Sequence, residues 1–500
     1  MYDAFLQMKL FQFVFMYLIL SIIIGVLSGM RIKNASDFVN AGRNLSLPFV
    51  IAMVFATWFG SEAILGIPAE FIKEGFSGII KDPFGAFFCL SIVGAIMAKR
   101  WYRLKVITLA NIYEKRFGSK VEIIMTLSIV VSYFGWVAAQ MTAMGILIHI
   151  LSGGLIPQDV AIVMGASVVL LYTISGGMLS IAINDFVQFL VIVVSLLYML
   201  FYFTGEAGGI TKVIQQANDD KMFFFIKNFD RHSMIEFFGA LITLMLGSIP
   251  QQDIFQRVTS AKSEKVARNG MLLGAGFYLT FCLIPIILIV CAKMIDPTLV
   301  NKYLETDSQM ILPTFILKNT PLILQVMFFG ALISAIMSTA SGTLLAPSVT
   351  ITENIVKKMF PKITDKMYIL ALRLTILCTG LAVTIFAIKS TSTIYEMVGD
   401  AYKITLVTAV IPLFAAMFWR RATTLGALFS ISLGFVVWIG GEISSISQPQ
   451  LFGFLASFFG MIIGSYLSKK QDICIIESVI HPTPIKPKPA KIKKKATIFI

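Results

Sequence analysis

The stretch Ala56-Thr57-Trp58-Phe59-Gly60-Ser61-Glu62, followed by Gly66-Ile67-Pro68, places small, polar and charged residues inside an otherwise apolar run from 48 to 70. A second interruption, Gly247-Ser248-Ile249-Pro250-Gln251-Gln252-Asp253, falls in the run from 235 to 256. The chain around them has 500 residues, 57% hydrophobic and only 14% charged, with mean hydropathy +0.84. Soluble domains carry about 25% charged residues, so this chain has too few polar side chains to cover a water-soluble globule of its size. A cytosolic enzyme is excluded on that ground. The net charge of +14 does not point to nucleic acid, because basic excess in a membrane chain marks loops facing anionic lipid.

A membrane helix needs about 20 predominantly apolar residues, and about thirteen such segments can be placed. They run near 11–30, 48–70, 77–98, 121–151, 158–175, 179–203, 235–256, 270–292, 321–346, 368–388, 393–418, 424–441 and 449–467. Lys and Arg cluster in alternate loops: Arg31/Lys33/Arg43, Lys99 to Arg116, Lys262/Lys265/Arg268, Lys357 to Lys366 and Arg420/Arg421. Short cytoplasmic loops retain positive charge, so the alternation predicts an N-terminus outside and a C-terminus in the cytoplasm. The first apolar run lacks a basic leader and a small-residue cleavage site, and reads as a retained helix. Residues 469–500, with the lysine run Lys486 to Lys495 and interleaved prolines, read as a disordered basic cytoplasmic tail. The five cysteines and three histidines are scattered, which implies neither a disulfide framework nor a zinc site.

Lipid offers the backbone no hydrogen-bond partner, so an interrupted helix survives at membrane depth only where it lines a cavity or is buried in protein. Spans two to six (48–203) and seven to eleven (235–418) form two sets of five, and each set opens on one of the interruptions. Because five is odd, the second set inserts with opposite topology. Broken helices at corresponding positions of two halves point to an inverted-repeat secondary transporter with a central site. The expected organisation is a peripheral helix and loop (1–47), a ten-helix core (48–418), two peripheral C-terminal helices (419–468) and the tail. In the ninth span Ala335, Ser338 and Thr339 have i, i+3, i+4 spacing and share one helix face. Two hydroxyls with carbonyls freed by a break suit a hard cation that takes oxygen ligands. By themselves they suit helix packing better than ligation, since membrane Ser and Thr often bond their own backbone and Ala331, Ala335 and Thr339 form a small-residue stripe.

These residues resemble the sodium:solute symporter family, of LeuT-like fold, over nearly the whole chain. The resemblance is carried by Asp37-Phe38 to Ala41-Gly42-Arg43, Thr57-Trp58-Phe59-Gly60, Gly176-Gly177 to Asp185 and Gln188, Ile249-Pro250 to Phe255-Gln256-Arg257-Val258, and Ser334-Ala335-Ile336-Met337-Ser338-Thr339. With Met310-Ile311-Leu312-Pro313, the motifs are most similar to the high-affinity choline transporter branch. The resemblance implies an all-α integral membrane protein with a 5+5 inverted-repeat core and Na+ as coupling ion. It also implies a sodium site made by the carbonyls of Ala56, Phe59 and Ala335 and the hydroxyls of Ser338 and Thr339. Asp185 matches an acidic position on the cytoplasmic ion path, and otherwise reads as an interfacial carboxylate. Trp58 and Trp136 match two positions of an aromatic cage for a quaternary ammonium, whose other two positions hold Ala86 and Gln251 here. Asp82 matches a position where sugar-carrying relatives place a substrate carboxylate, although Lys81 beside it allows a structural ion pair instead.

Gly60, Ser61, Glu62, Gln140, Gln251 and Gln252 add hydrogen-bonding capacity around the same centre, which suits a small polar solute: an amine, a zwitterion or an amino acid. The expected partners are therefore that solute, sodium and the lipid bilayer, in a plasma membrane of bacterial type. Proton coupling through Asp82, Glu62 or Asp185 is the alternative, since intramembrane carboxylates serve as proton relays. The intact hydroxyls at Ser338 and Thr339 argue against it, because a proton needs no oxygen cage. No nucleophile and base in a recognisable constellation accompanies them, which argues against an enzyme. The tail is too short for a signalling domain.

Overall fold

The computed structural model describes residues 4–29, 35–226, 228–469 and 477. The basic tail apart from residues 469 and 477, and Arg31 and Lys33 of the first basic cluster, lie outside the described residues. Among the described residues the chain is helical throughout, and extended pairing is confined to one bridge between Leu45 and Ala261.

The helices are apolar on all sides, and their polarity is inverted relative to a soluble bundle. Val131, Leu381 and Phe459 are more than half exposed, while Glu62, Gln140, Asp185 and Arg257 are buried. That distribution is the one a hydrocarbon solvent selects. Among the described residues eight helices are long and apolar enough to cross a membrane, and three bent pairs bring the number to eleven if each pair is one span. Two shorter apolar helices, Lys9–Ile24 and Gln158–Ile174, stand beside them. The thirteen spans expected from the sequence are therefore not established as a count, although each expected segment coincides with a helix or a bent pair.

Both interruptions are bends. Helix α1 (Ala4–Gly29) precedes the first broken pair, α2 (Leu47–Trp58) and α3 (Glu62–Ser77), which meet at 56°. The second pair, Arg231–Gly247 and Gln252–Ser260, meets at 45°. A third pair, Ile394–Thr408 and Val410–Phe418, meets at 48° and was not expected, the segment 393–418 having been read as one span. Its cause is visible in sequence as Pro412, which has no N–H to return to the preceding turn. A fourth departure is Gly177. The two spans expected at 158–175 and 179–203 form one helical run, Gln158–Glu206, turned sharply at Gly177 with φ 52° and ψ −164°.

Around these bends the long helices form the body. Helix Ser119–Leu151 and helix Leu322–Met359 both pack on Gln158–Glu206, and Glu264–Ile295 packs on α2. Helix α1 lies against Gln158–Glu206 and Leu322–Met359, and the Tyr17 hydroxyl and Ser334 Oγ are 2.5 Å apart. Thr424–Ile443 and Pro449–Tyr466 pack mainly on each other.

Candidate functional site

The first break is built around the absence of a side chain. A Cβ on Gly60 would stand 2.5 Å from Glu62 Oε2, 2.8 Å from Thr339 Oγ1 and 3.0 Å from Gln140 Oε1. Three oxygens from three helices thus converge on one glycine. Thr339 Oγ1 is also 3.3 Å from the carbonyl oxygen of Ala56. Helix α2 ends at Trp58, and Phe59 takes non-helical angles (φ −90°, ψ 70°), so carbonyls here are released from the helical ladder.

The hydroxyls of helix Leu322–Met359 separate packing from site. Ser334, Thr343, Ser348 and Thr350 each donate to the carbonyl four residues back, at 2.7–3.0 Å, the ordinary way a membrane helix satisfies such groups. Thr339 instead reaches α2, and Ser338 Oγ donates to Asp185 Oδ1 at 2.7 Å. The second oxygen of Asp185 is buried without a partner. Ala56, Phe59 and Ala335 are fully buried in the same region. Thr339 and Ala56 therefore face one another directly, while Ser338 is turned to Asp185.

On the other side of the break the aromatic residues close up. Trp58 lies edge-on to Trp136 at 5.3 Å between ring centroids and to Tyr278 at 6.3 Å, and is parallel to Tyr402 at 6.3 Å. Glu62 accepts from Trp136 Nε1 (3.2 Å) and Gln140 Nε2 (2.8 Å), and Gln140 Oε1 accepts from the Ser61 N–H (3.0 Å). Asp82 accepts from the Tyr278 hydroxyl at 2.5 Å. Lys81 does not pair with it: its ammonium lies over the Tyr395 ring, 5.2 Å from the centroid. Trp58, Trp136, Gln140, Ser61, Glu62 and Asp82 therefore form one connected group, with Ala86 also buried.

Two predicted residues are engaged elsewhere. Gln251 bonds Ser132 (2.9 Å) and Thr405 (3.4 Å). Gln252 accepts from the Leu109 N–H (2.8 Å) and donates to the Ile107 carbonyl (3.2 Å), so it fastens the segment before helix Ala110–Phe117 and does not join the Trp58 group.

Sequence reasoning missed Tyr278 and Tyr402, lone aromatics in long apolar runs with no distinguishing spacing. It also quoted Arg257 without giving it a role. Buried Arg257 donates twice to Thr57 Oγ1 (2.7 and 3.2 Å) and once to the Asp253 carbonyl (3.2 Å). Asp253 Oδ1 accepts from Tyr133 at 2.5 Å. This guanidinium ties the second broken helix to the first, one residue before Trp58. Among the described residues no group of three His, Cys, Asp or Glu could hold a metal ion, so the oxygen donors at Gly60 differ in kind from a transition-metal site.

The chain is 25% identical over 464 residues to the high-affinity choline transporter 1 of Caenorhabditis elegans, covering 88% of this chain and 78% of that one. It is 26% identical over 477 residues to the high-affinity proline transporter PutP of Bacillus subtilis, covering 91% and 98%. Among solved structures, a Na+-coupled sialic acid symporter superposes with a TM-score of 0.80 at 19% identity, over 92% of this chain and 98% of that one. That likeness shows a shared fold, the LeuT-like transporter architecture. The model of the sodium:solute symporter family matches residues 38–434, which takes in both broken pairs, Asp185 and the Ser338–Thr339 face, and the chain belongs to that family.

Proposed function

We propose that the chain is a sodium-coupled symporter that imports a small polar organic solute by alternating access. Sodium would bind between the first break and helix Leu322–Met359, at Ala56, Phe59, Ala335, Ser338 and Thr339. The solute would bind beside Trp58, Trp136, Glu62, Gln140 and Asp82. The observation that carries this reading is the outward turn of Thr339 toward Ala56 on a helix where Ser334, Thr343 and Ser348 fold back on their own carbonyls. The relatives' names, a choline and a proline transporter, and that of the structural neighbour, a Na+-coupled symporter, support the same reading.

The energetics are sufficient. One cation crossing 100 mV releases about 2.3 kcal/mol, which concentrates a neutral solute roughly 50-fold before any sodium gradient is added. The core 48–418 would move as the transport unit in a bacterial plasma membrane, with the N-terminus outside and the C-terminus cytoplasmic. The test is uptake into proteoliposomes of a panel of amines, amino acids and sugars, with and without an inward sodium gradient. Sodium-dependent accumulation is the expected result. Accumulation that follows an imposed pH gradient and ignores sodium would replace the sodium site with proton coupling through Glu62, Asp82 or Asp185.

A further inference from the structure

The central group holds two buried carboxylates that form no ion pair among the described residues. Glu62 and Asp82 are 1% and 4% exposed. Their hydrogen-bond donors are neutral: Trp136 and Gln140 for Glu62, Tyr278 for Asp82. Among the described residues no lysine, arginine or histidine lies within ion-pair distance of either carboxylate. The nearby cations are committed elsewhere, Lys81 to the Tyr395 ring and Arg257 to Thr57 and Asp253. A buried charge without a partner is costly. That cost is relieved when a carboxylate takes up a proton or when positive charge arrives with what binds, and the surroundings favour the second.

The surroundings are those of a cation. A chain of contacts runs from Glu62 through Trp136, Trp58 and Tyr278 to Asp82, so aromatic rings lie between the carboxylates, and ring faces attract ammonium groups. Two buried hydroxyls in the same group, Ser61 Oγ and Tyr402 OH, have no partner. They are spare donors and acceptors beside Glu62 and Trp58, open to a bound solute.

Building on the symport reading above, we infer that the solute is a small organic cation that carries N–H, a protonated primary or secondary amine. Carboxylate oxygens accept hydrogen bonds, and only an N–H-bearing cation can donate them as well as bring charge. A quaternary ammonium group has no N–H to offer Glu62 or Asp82. A zwitterion brings a third carboxylate to a site where no basic side chain meets it. A sodium ion at the Thr339–Ala56 oxygens neutralises one charge and leaves the other for the amine.

The experiment uses the full chain in proteoliposomes under an inward sodium gradient, with a probe series differing only in N-methylation: ethanolamine, N-methylethanolamine, N,N-dimethylethanolamine and choline, beside proline and glucose. The half-saturating concentration should rise at least tenfold from ethanolamine to choline, with proline and glucose not accumulated. Glu62→Gln and Asp82→Asn should each raise the ethanolamine value about tenfold, and the unmodified chain's own series decides the matter if either variant does not fold. Choline taken up as well as ethanolamine overturns the inference. So does accumulation of proline or glucose without the amines, which leaves sodium symport standing. Ethanolamine uptake that ignores sodium upholds the amine and removes sodium coupling. No accumulation of any member overturns both.

Discussion

Gly60 shows how much one residue can decide. Its missing side chain is what allows Glu62, Thr339 and Gln140 to meet, and two of the three are held by further hydrogen bonds: Thr339 to Ala56 and Gln140 to Ser61. Gly60→Ala should therefore lower sodium-driven uptake at least tenfold while the purified protein stays monodisperse. Normal uptake would show that the three side chains can part without loss. The hydroxyls divide the same way. Ser338→Ala combined with Thr339→Ala should raise the half-saturating sodium concentration about tenfold, equivalent to about 1.4 kcal/mol of cation binding, and leave solute recognition at saturating sodium nearly unchanged. Equal transport at all sodium concentrations would reduce both residues to packing. Trp58→Ala should raise the half-saturating solute concentration instead, because the ring touches Trp136, Tyr278 and Tyr402; an unchanged value would remove Trp58 from the pocket.

At the scale of elements, the bends carry the architecture. Gly177 turns the helical run Gln158–Glu206 with a positive φ, and a Cβ there would stand 2.7 Å from the Phe38 ring and 2.8 Å from its carbonyl oxygen. Gly177→Ala meets strain and a clash together, and should destabilise the fold by about 2 kcal/mol, read as a lower unfolding temperature in detergent. Gly276→Ala is the control, since a Cβ there meets nothing within 4 Å, and the substitution should be neutral or slightly stabilising. Equal melting of both variants would remove the argument from geometry at Gly177.

Across the molecule, polar networks join helices that are distant in sequence. Lys358 pairs with Glu114 at 2.5 Å and with Glu122, and Asn354 donates to Glu122 (2.5 Å) while accepting from Thr108 (2.8 Å). The end of helix Leu322–Met359 is thereby fixed to the start of helix Ser119–Leu151 and to the segment before it. Glu122 is buried and Lys358 is partly exposed, so removing the lysine strands a carboxylate in protein. Lys358→Met should cost about 2 kcal/mol, below the range for a fully buried pair because solvent reaches the ammonium, and adding Glu122→Gln should recover most of the loss. A double variant no more stable than Lys358→Met in a thermal melt would show that the lysine acts through packing alone.

The chain's composition and the polar breaks at Ala56–Glu62 and Gly247–Asp253 were sufficient to determine a polytopic helical membrane protein with interrupted helices buried in it, because hydrocarbon tolerates interrupted backbone only inside protein. The motif at Ser334–Thr339 was legible as well, since i, i+3, i+4 spacing is a property of the helix itself. Which hydroxyls leave their own helix was not legible, because Ser338 and Thr343 look alike until a neighbouring carboxylate or carbonyl is placed opposite. Tertiary structure alone brought Tyr278 and Tyr402 to Trp58, sent Gln252 to the Leu109 segment, and turned Lys81 from Asp82 to Tyr395. Those outcomes depend on contacts between residues far apart in the chain, about which local periodicity carries no information. Local pattern settles where a helix runs and where it breaks, and only the packing of helices settles what stands across from the break.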